Sequence, residues 1–228
     1  MNGAYPLDFP AWSALTGRQA AFAISRNGAR RYDPAVNVFA AVAQRDEASL
    51  VALGELVRAH GDVAMLEAEA PPPIPGAAIA SIDDGVQMVE VDPVPAGAPD
   101  FEVTALTDDD AAEMLALASL TRPGPFFERT HTLGDFIGVK LDGRLAAMAG
   151  ERMKPVGFTE VSGVCVHPEF RGRGYAAALT QIVAAKIRAR GETPFLHAYA
   201  SNTPAITLYE RLGYRLRRRV KMVRLTAA

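Results

Sequence analysis

The sequence predicts an α/β protein in two parts, a mixed-sheet domain preceded by a further α/β unit. Three observations carry that expectation. Strand-like and helix-like runs alternate in both halves; Asp142-Gly143 joins two strand-like runs; and the stretch VCVHPEFRGRGYAAALT (164–180) takes an apolar β-branched run through glycines and arginines into an alanine-rich helical segment.

The 228 residues suffice for one large or two small domains, and 49% hydrophobic with 22% charged residues describes a folded chain with a buried core. The one cysteine, Cys165, cannot form an internal disulfide, so the fold needs no oxidising compartment and a cytoplasmic location is expected. The start, MNGAYPLDFPAWSALTG, lacks the pattern of a secretion signal, and no uninterrupted apolar run is long enough for a membrane span. Net charge is −2, which gives no general case for nucleic-acid binding. The charge is uneven: residues 1–98 carry −6 and residues 99–228 carry +4, so a polyanionic ligand would favour the second half. The sequence carries no signal for an oligomeric state.

The proline-rich DPVPAGAPD (92–100) is the expected boundary, because closely spaced prolines interrupt both helix and sheet. The domains are thus residues 1–95, an α/β unit without assigned role, and residues 100–228. In the first, EASLVALGELVRAHG is an amphipathic helix closed by Gly61, followed by the strand-like DVAMLEA and GVQMVEV. In the second, FEVTAL reads as a strand and DDDAAEMLALASL as a helix with acids in its first turn. DFIGVKLDGRLAAMAGERM then forms a hairpin at Asp142-Gly143, and FTEVSGVCV is a further strand ending before Pro168. A helix over 174–190 buries Ala176, Leu179, Ile182, Val183 and Ile187 and stops at Gly191. PFLHAYA is the next strand. Thr203 is expected to cap the following helix, with Pro204 first inside it, and a basic β-rich segment, 214–225, closes the chain with one solvated face.

A strand, a glycine turn and a helix N-terminus together make a phosphate site: the first helical N–H groups lack internal partners, and the helix dipole adds positive character. Gly172 and Gly174 leave room at the main chain, and Arg171 and Arg173 add charge. GRGYAA also satisfies the dinucleotide pattern G-x-G-x-x-A, but that fingerprint belongs in the first strand-helix turn with an acid ending the next strand, and PFLHAYA ends without one. A solvated connector is the plain structural alternative.

The run VCVHPEFRGRGYAAAL resembles the acyl-CoA-binding motif of the GNAT superfamily of N-acetyltransferases, Q/R-x-x-G-x-G/A, with Arg171, Gly174 and Ala176 at its fixed positions. SNTPAITLYERLGY resembles the second motif of that superfamily through Asn202, Ala205, Tyr209, Gly213 and Tyr214. The resemblance covers about residues 100–228 and leaves the first half outside it; some members of the superfamily carry a degenerate GNAT-like half there, which is an analogy for residues 1–95. It implies a strongly curved mixed sheet in which FTEVSGVCV and PFLHAYA splay apart to admit pantetheine, with acetyl-CoA as co-substrate and a small-molecule or peptide amine attacking the thioester directly. The alternative is an acyl-CoA-binding or sensing protein without turnover.

On this resemblance, the amides of Arg171, Gly172, Arg173, Gly174, Tyr175 and Ala176 receive the pyrophosphate, and backbone groups of Val164, Cys165 and Val166 pair with pantetheine and polarise the acetyl carbonyl. Cys165 itself is expected to be packing. Glu160, six residues before Val166 and on its face by strand alternation, is the expected general base or else a surface glutamate. Tyr209 is the expected acid for the departing thiolate, against a reading as core packing. Asn202 bonds the pantetheine or shapes its turn. Phe126, Phe127 and Arg129 are the expected acceptor-binding residues, against packing beneath a loop. His131 and His197 have no partner at metal-ligand spacing, so no metal is expected.

Overall fold

The computed structural model describes residues 5–95 and 97–228; the first four residues of the amino-terminal stretch and Ala96 of the expected boundary lie outside the described residues. The first half contains α1 (Pro10–Thr16), β1 (Ala23–Arg26), β2 (Ala29–Tyr32), β3 (Ala40–Val42), α2 (Glu47–His60), β4 (Val63–Glu67) and β5 (Ala77–Glu90). The second contains β6 (Thr104–Leu106), α3 (Ala111–Thr121), β7 (Phe136–Leu141), β8 (Arg144–Glu151), β9 (Phe158–Val166), α4 (Tyr175–Ala189), β10 (Thr193–Tyr199), α5 (Thr203–Arg211) and β11 (Tyr214–Ala227).

Local chemistry sets most of these limits. Asp46 caps α2 by accepting from the Ser49 amide, and Gly61 ends it at φ +82°. Asp142 and Gly143 both take positive φ between β7 and β8, the two-residue turn whose twist matches a hairpin. The cap of α5 falls one residue before the expected Thr203: Asn202 accepts from the Ala205 amide, which places Thr203 and Pro204 inside the first turn.

Eight strands form one sheet in the order β4-β11-β5-β10-β9-β8-β7-β6, and β1-β2-β3 form a second, antiparallel sheet that meets β4 through a parallel bridge, Phe39↔Ala64. The two halves repeat one order. An antiparallel meander (β1-β2-β3, or β7-β8-β9) leads to a helix (α2, or α4) and then to a strand parallel to the meander's last member (β4, or β10). Their final strands then cross over: β11 pairs with β4, β5 pairs with β10, and β5 and β11 pair with each other down the middle. Residues on both sides of the proline-rich boundary therefore share one sheet.

The core follows this exchange. The end of β11 sends Val223 and Leu225 into a cluster with Leu50, Leu53 and Leu56 of α2. On the second half's sheet, α4 covers the face carrying Ile137, Ala147 and Val161, while α3 covers the opposite face at Met148 and Cys165. Parallel pairing of β9 with β10 runs only from Phe158↔Thr193 to Glu160↔Phe195, although both strands continue. Beyond that register they part. On its other side β9 carries a bulge at Gly163 (φ +63°), where two residues face Ala149 alone.

Candidate active site

The gap between the parted strands opens onto the N-terminus of α4. Gly174, the N-cap of α4, has φ +80° and no side-chain cap, and Gly172 has φ +78°. A Cβ added at either glycine would meet nothing within 4 Å, so both backbones face open space. Among the described residues, the amides of Gly172, Arg173 and Gly174 have no backbone acceptor. The first amides of α4 lack intrahelical acceptors by helix geometry, so the turn presents a run of free donors at the positive end of a helix, the arrangement that suits an anion. Arg173 stacks 5.2 Å from the Phe170 ring, which holds its charge at the rim.

A cleft of about 420 Å³ brings together residues 164–166 and 171–176 with Asn202 and Tyr209. All the residues expected to contact the acyl donor thus border one space. They border it in different ways. The Tyr175 ring packs edge-on against Phe101, so only its backbone serves the turn. Asn202 spends its side-chain oxygen on the Ala205 amide. Cys165 is buried, and burial pushes its thiol up to about 11, leaving it protonated and inert as a nucleophile.

Behind the cleft lies a smaller cavity of about 70 Å³ that shares Pro123, Val164 and Tyr209 with it. That cavity shares Gly124, Pro125, Tyr199 and Met222 with an outer groove lined also by Phe126 and Phe127. Cleft, cavity and groove form a passage, with Tyr209 at the junction of the first two. Its ring packs on Tyr214 and Leu212 in the core, and burial pushes its hydroxyl up to about 12. Tyr209 is therefore a proton donor at neutral pH. Phe126 also packs edge-on against Phe136, and Phe127 against the Phe39 cluster, so both serve core and groove. Arg129 is exposed and borders none of the three spaces.

Glu160 departs from expectation in two respects. The Gly163 bulge adds a residue to β9, so alternation inverts across it and Glu160 faces away from the side of Val166. Glu160 is also fully buried, not half-exposed. Arg152 grips it through Nε–Oε2 at 2.9 Å and Nη2–Oε1 at 2.7 Å; the Met153 amide donates to Oε2 at 3.3 Å, and His197 Nδ1 lies 2.7 Å from Oε1. Burial raises the carboxyl's pKa, but the charge and hydrogen bonds of Arg152, with the hydrogen bond from His197, outweigh it and hold Glu160 at about 2. A carboxylate so occupied is a poor acceptor of an amine proton.

The surroundings fix His197 as well. Arg217 donates to Gln87 Oε1 at 2.7 Å, which turns the amide nitrogen of Gln87 toward the Leu7 carbonyl and toward His197 Nε2 at 3.0 Å. Nε2 must then accept, so Nδ1 carries the proton that His197 donates to Glu160, and the ring is neutral. This network of Arg152, Glu160, His197, Gln87 and Arg217 was not foreseen. Its one legible signal is the direct cross-strand pairing of His197 with Gln87, and that register becomes visible only with the exchanged strand β5 in place.

Among the described residues, no group of three or more His, Cys, Asp or Glu could hold a metal ion, and no helix is long and apolar enough to cross a membrane.

Comparison with known proteins agrees with this geometry. Residues 137–223 match the FR47-like protein family. A solved structure described as an acetyltransferase from the GNAT family, from Novosphingobium aromaticivorans, is 43% identical, covers 99% of this chain and 100% of its own, and superposes with a TM-score of 0.91. A GCN5-related N-acetyltransferase from Kribbella flavida shares the fold at 19% identity and a TM-score of 0.63, covering 96% of this chain and 95% of its own. A mycothiol acetyltransferase from Thermobispora bispora is 39% identical over 95 residues, which is 40% of this chain and spans only 30% of that relative's length. Full-length similarity at 43% identity, on a sheet that parts at an uncapped glycine turn, establishes that this chain belongs to the GNAT family of acetyltransferases.

Proposed function

We propose that the protein transfers an acetyl group from acetyl-CoA to a primary amine, by direct attack of the amine on the thioester. The observation that carries this reading is the run of unpartnered amides at Gly172, Arg173 and Gly174, opening α4 beside the gap between β9 and β10. Acetyl-CoA supplies the activated acyl group. The amides of 172–176 hold its pyrophosphate, while the Arg171 amide, expected among them, donates to the Pro168 carbonyl, and the side chains of Arg171 and Arg173 add charge at the rim. N–H and C=O groups of β9 beyond Glu160, released from β10, pair with the pantetheine arm and polarise the carbonyl. Asn202 orders the turn at the cleft's edge by capping α5.

Tyr209 stands where cleft and cavity meet, and its protonated hydroxyl delivers a proton to the departing thiolate. The amine arrives from the groove beside Phe126 and Phe127 and reaches the thioester through the small cavity. Glu160 holds Arg152 and His197 in place, and the amine's own proton leaves through the solvent in the groove.

Calorimetric titration with acetyl-CoA, followed by CoA release across a panel of amines, tests the reading. Binding with amine-dependent release is expected. Binding without release would make the protein a non-catalytic acyl-CoA binder, and absence of binding would overturn the assignment of the turn.

A further inference from the structure

We propose that the amine acceptor carries a carboxylate, and that Nη1 of Arg152 binds it in the small cavity. The inference rests on the acetyltransferase reading and narrows its substrate to small amino-acid-like amines. Arg152 is 6% exposed and lines the cavity wall. Two of its guanidinium nitrogens are used on Glu160. The third, Nη1, has no hydrogen-bond partner among the described residues, yet it is not sealed off, and it lies beside Gly124, where an added Cβ would stand 3.9 Å from it. A guanidinium never loses its charge, so Nη1 presents two N–H donors that require an oxygen, and a carboxylate is the group whose geometry and charge suit them best.

The rest of the wall points the same way. Among the described residues no Asp or Glu lines the cavity, so nothing there would select a cationic end. His197 is held neutral with both ring nitrogens engaged, and Ser162 and Tyr199 add hydroxyls. The volume, about 70 Å³, suits a headgroup of amine and carboxylate on one or two carbons, with any longer side chain leading out past Gly124 and Pro125 into the groove. Arg152 sits 5.0 Å over the Phe39 ring, which fixes the plane of its donors. Arg152 is thus a substrate-binding residue that selects the acceptor.

Three amines of one skeleton test this: L-alanine, L-alaninamide and isopropylamine, with rates of CoA release at saturating acetyl-CoA corrected for the neutral-amine fraction. L-Alanine is expected to exceed isopropylamine in kcat/KM by at least about tenfold, with L-alaninamide between, because a site built to bond an oxygen discriminates against the analogue lacking it. Arg152→Lys, whose single ammonium is drawn to Glu160, should bring the ratio of L-alanine to isopropylamine within about twofold. A purely structural Arg152 would slow all three amines alike, and that result would overturn the proposal.

A second measurement serves if the variant does not fold. Thermal shifts of the CoA-saturated wild type should be larger with L-alanine than with isopropylamine. Equal or absent shifts overturn the carboxylate assignment, whereas a shift with L-alanine and no CoA release from any amine overturns the acetyltransferase reading and leaves the carboxylate site standing.

Discussion

Burial alone raises the pKa of Tyr209 and of Glu160; what separates them is the cation beside one and not the other. Tyr209 has no cationic neighbour among the causes of its shift and keeps its proton, so its hydroxyl is the one group at the junction able to donate to a thiolate. Tyr209→Phe should therefore lower kcat about a hundredfold, a typical contribution of general acid catalysis. Acetyl-CoA affinity by calorimetry should stay within about twofold, and an unchanged kcat would remove the hydroxyl from the chemistry. For Glu160 the consequence is stability. Its folded pKa of about 2 lies below the ordinary 4.5, so its contribution is fully present above pH 4.5 and is lost as the pH falls toward 2. The melting temperature of the wild type should fall across that window. Glu160→Gln should be destabilised by about 3 kcal/mol at pH 7, having left Arg152 buried without its counter-charge, and should show a flatter acid limb. Parallel acid limbs in the two proteins would show that another group titrates.

The two quasi-equivalent strand-turn-helix elements share an order and differ in how they cap the helix. At α4 the N-cap is Gly174, which leaves its amides free for a ligand; at α2 it is Asp46, which satisfies an amide with its own carboxylate and borders a surface shared with Glu47 and Glu55. Asp46 and Glu47 put negative charge at that second N-terminus, which disfavours phosphate there. Replacing Gly174 by Val should confirm where specificity for phosphate resides. The added Cβ meets no protein atom within 4 Å, so the main cost to the fold is backbone strain at φ +80°, about 1–2 kcal/mol. Acetyl-CoA affinity should nevertheless fall by more than tenfold, since the side chain projects into the cradle; unchanged affinity would place the diphosphate elsewhere. This turn was legible because glycine spacing, helix periodicity and the following strand are all local. The same hairpin signal stood at Asn27-Gly28, where both residues take positive φ, but the flanking strands are four residues each and arginine-rich. Arg31, apolar by position, is buried with its guanidinium on the carbonyls of His60 and Gly61, so no hydrophobic alternation marks the strand. Glu160 was misread for a related reason: alternation counts residues, and the Gly163 bulge changes the count.

At the scale of the molecule, the feature that no local pattern reveals is the exchange of final strands. β5 pairs with β11 from Ala77↔Ala227 to Glu90↔Tyr214 and with β10 through His197↔Gln87, so a strand from the first half fills the sheet between two strands of the second. The crossing is tight. Gly213 (φ +91°) lies against Asp92, whose carbonyl would stand 1.8 Å from any added Cβ. The exchange also builds the site, because Gln87 of β5 sets the tautomer of His197 and Val220 and Met222 of β11 line the small cavity. Residues 97–228 expressed alone would lack β5, leaving β10 with an open edge, and would expose Val223 and Leu225, which are 1% and 0% exposed in the whole protein. Each such side chain forfeits about 1.5–3 kcal/mol of burial, an appreciable part of a domain's stability, and open edges invite association. The fragment should give no cooperative thermal transition, and co-expression with residues 1–95 should restore one together with acetyl-CoA binding. A fragment that melts cooperatively as a monomer and binds acetyl-CoA unaided would mean that β11 can turn back onto β10, and that the exchanged strand is dispensable to the site.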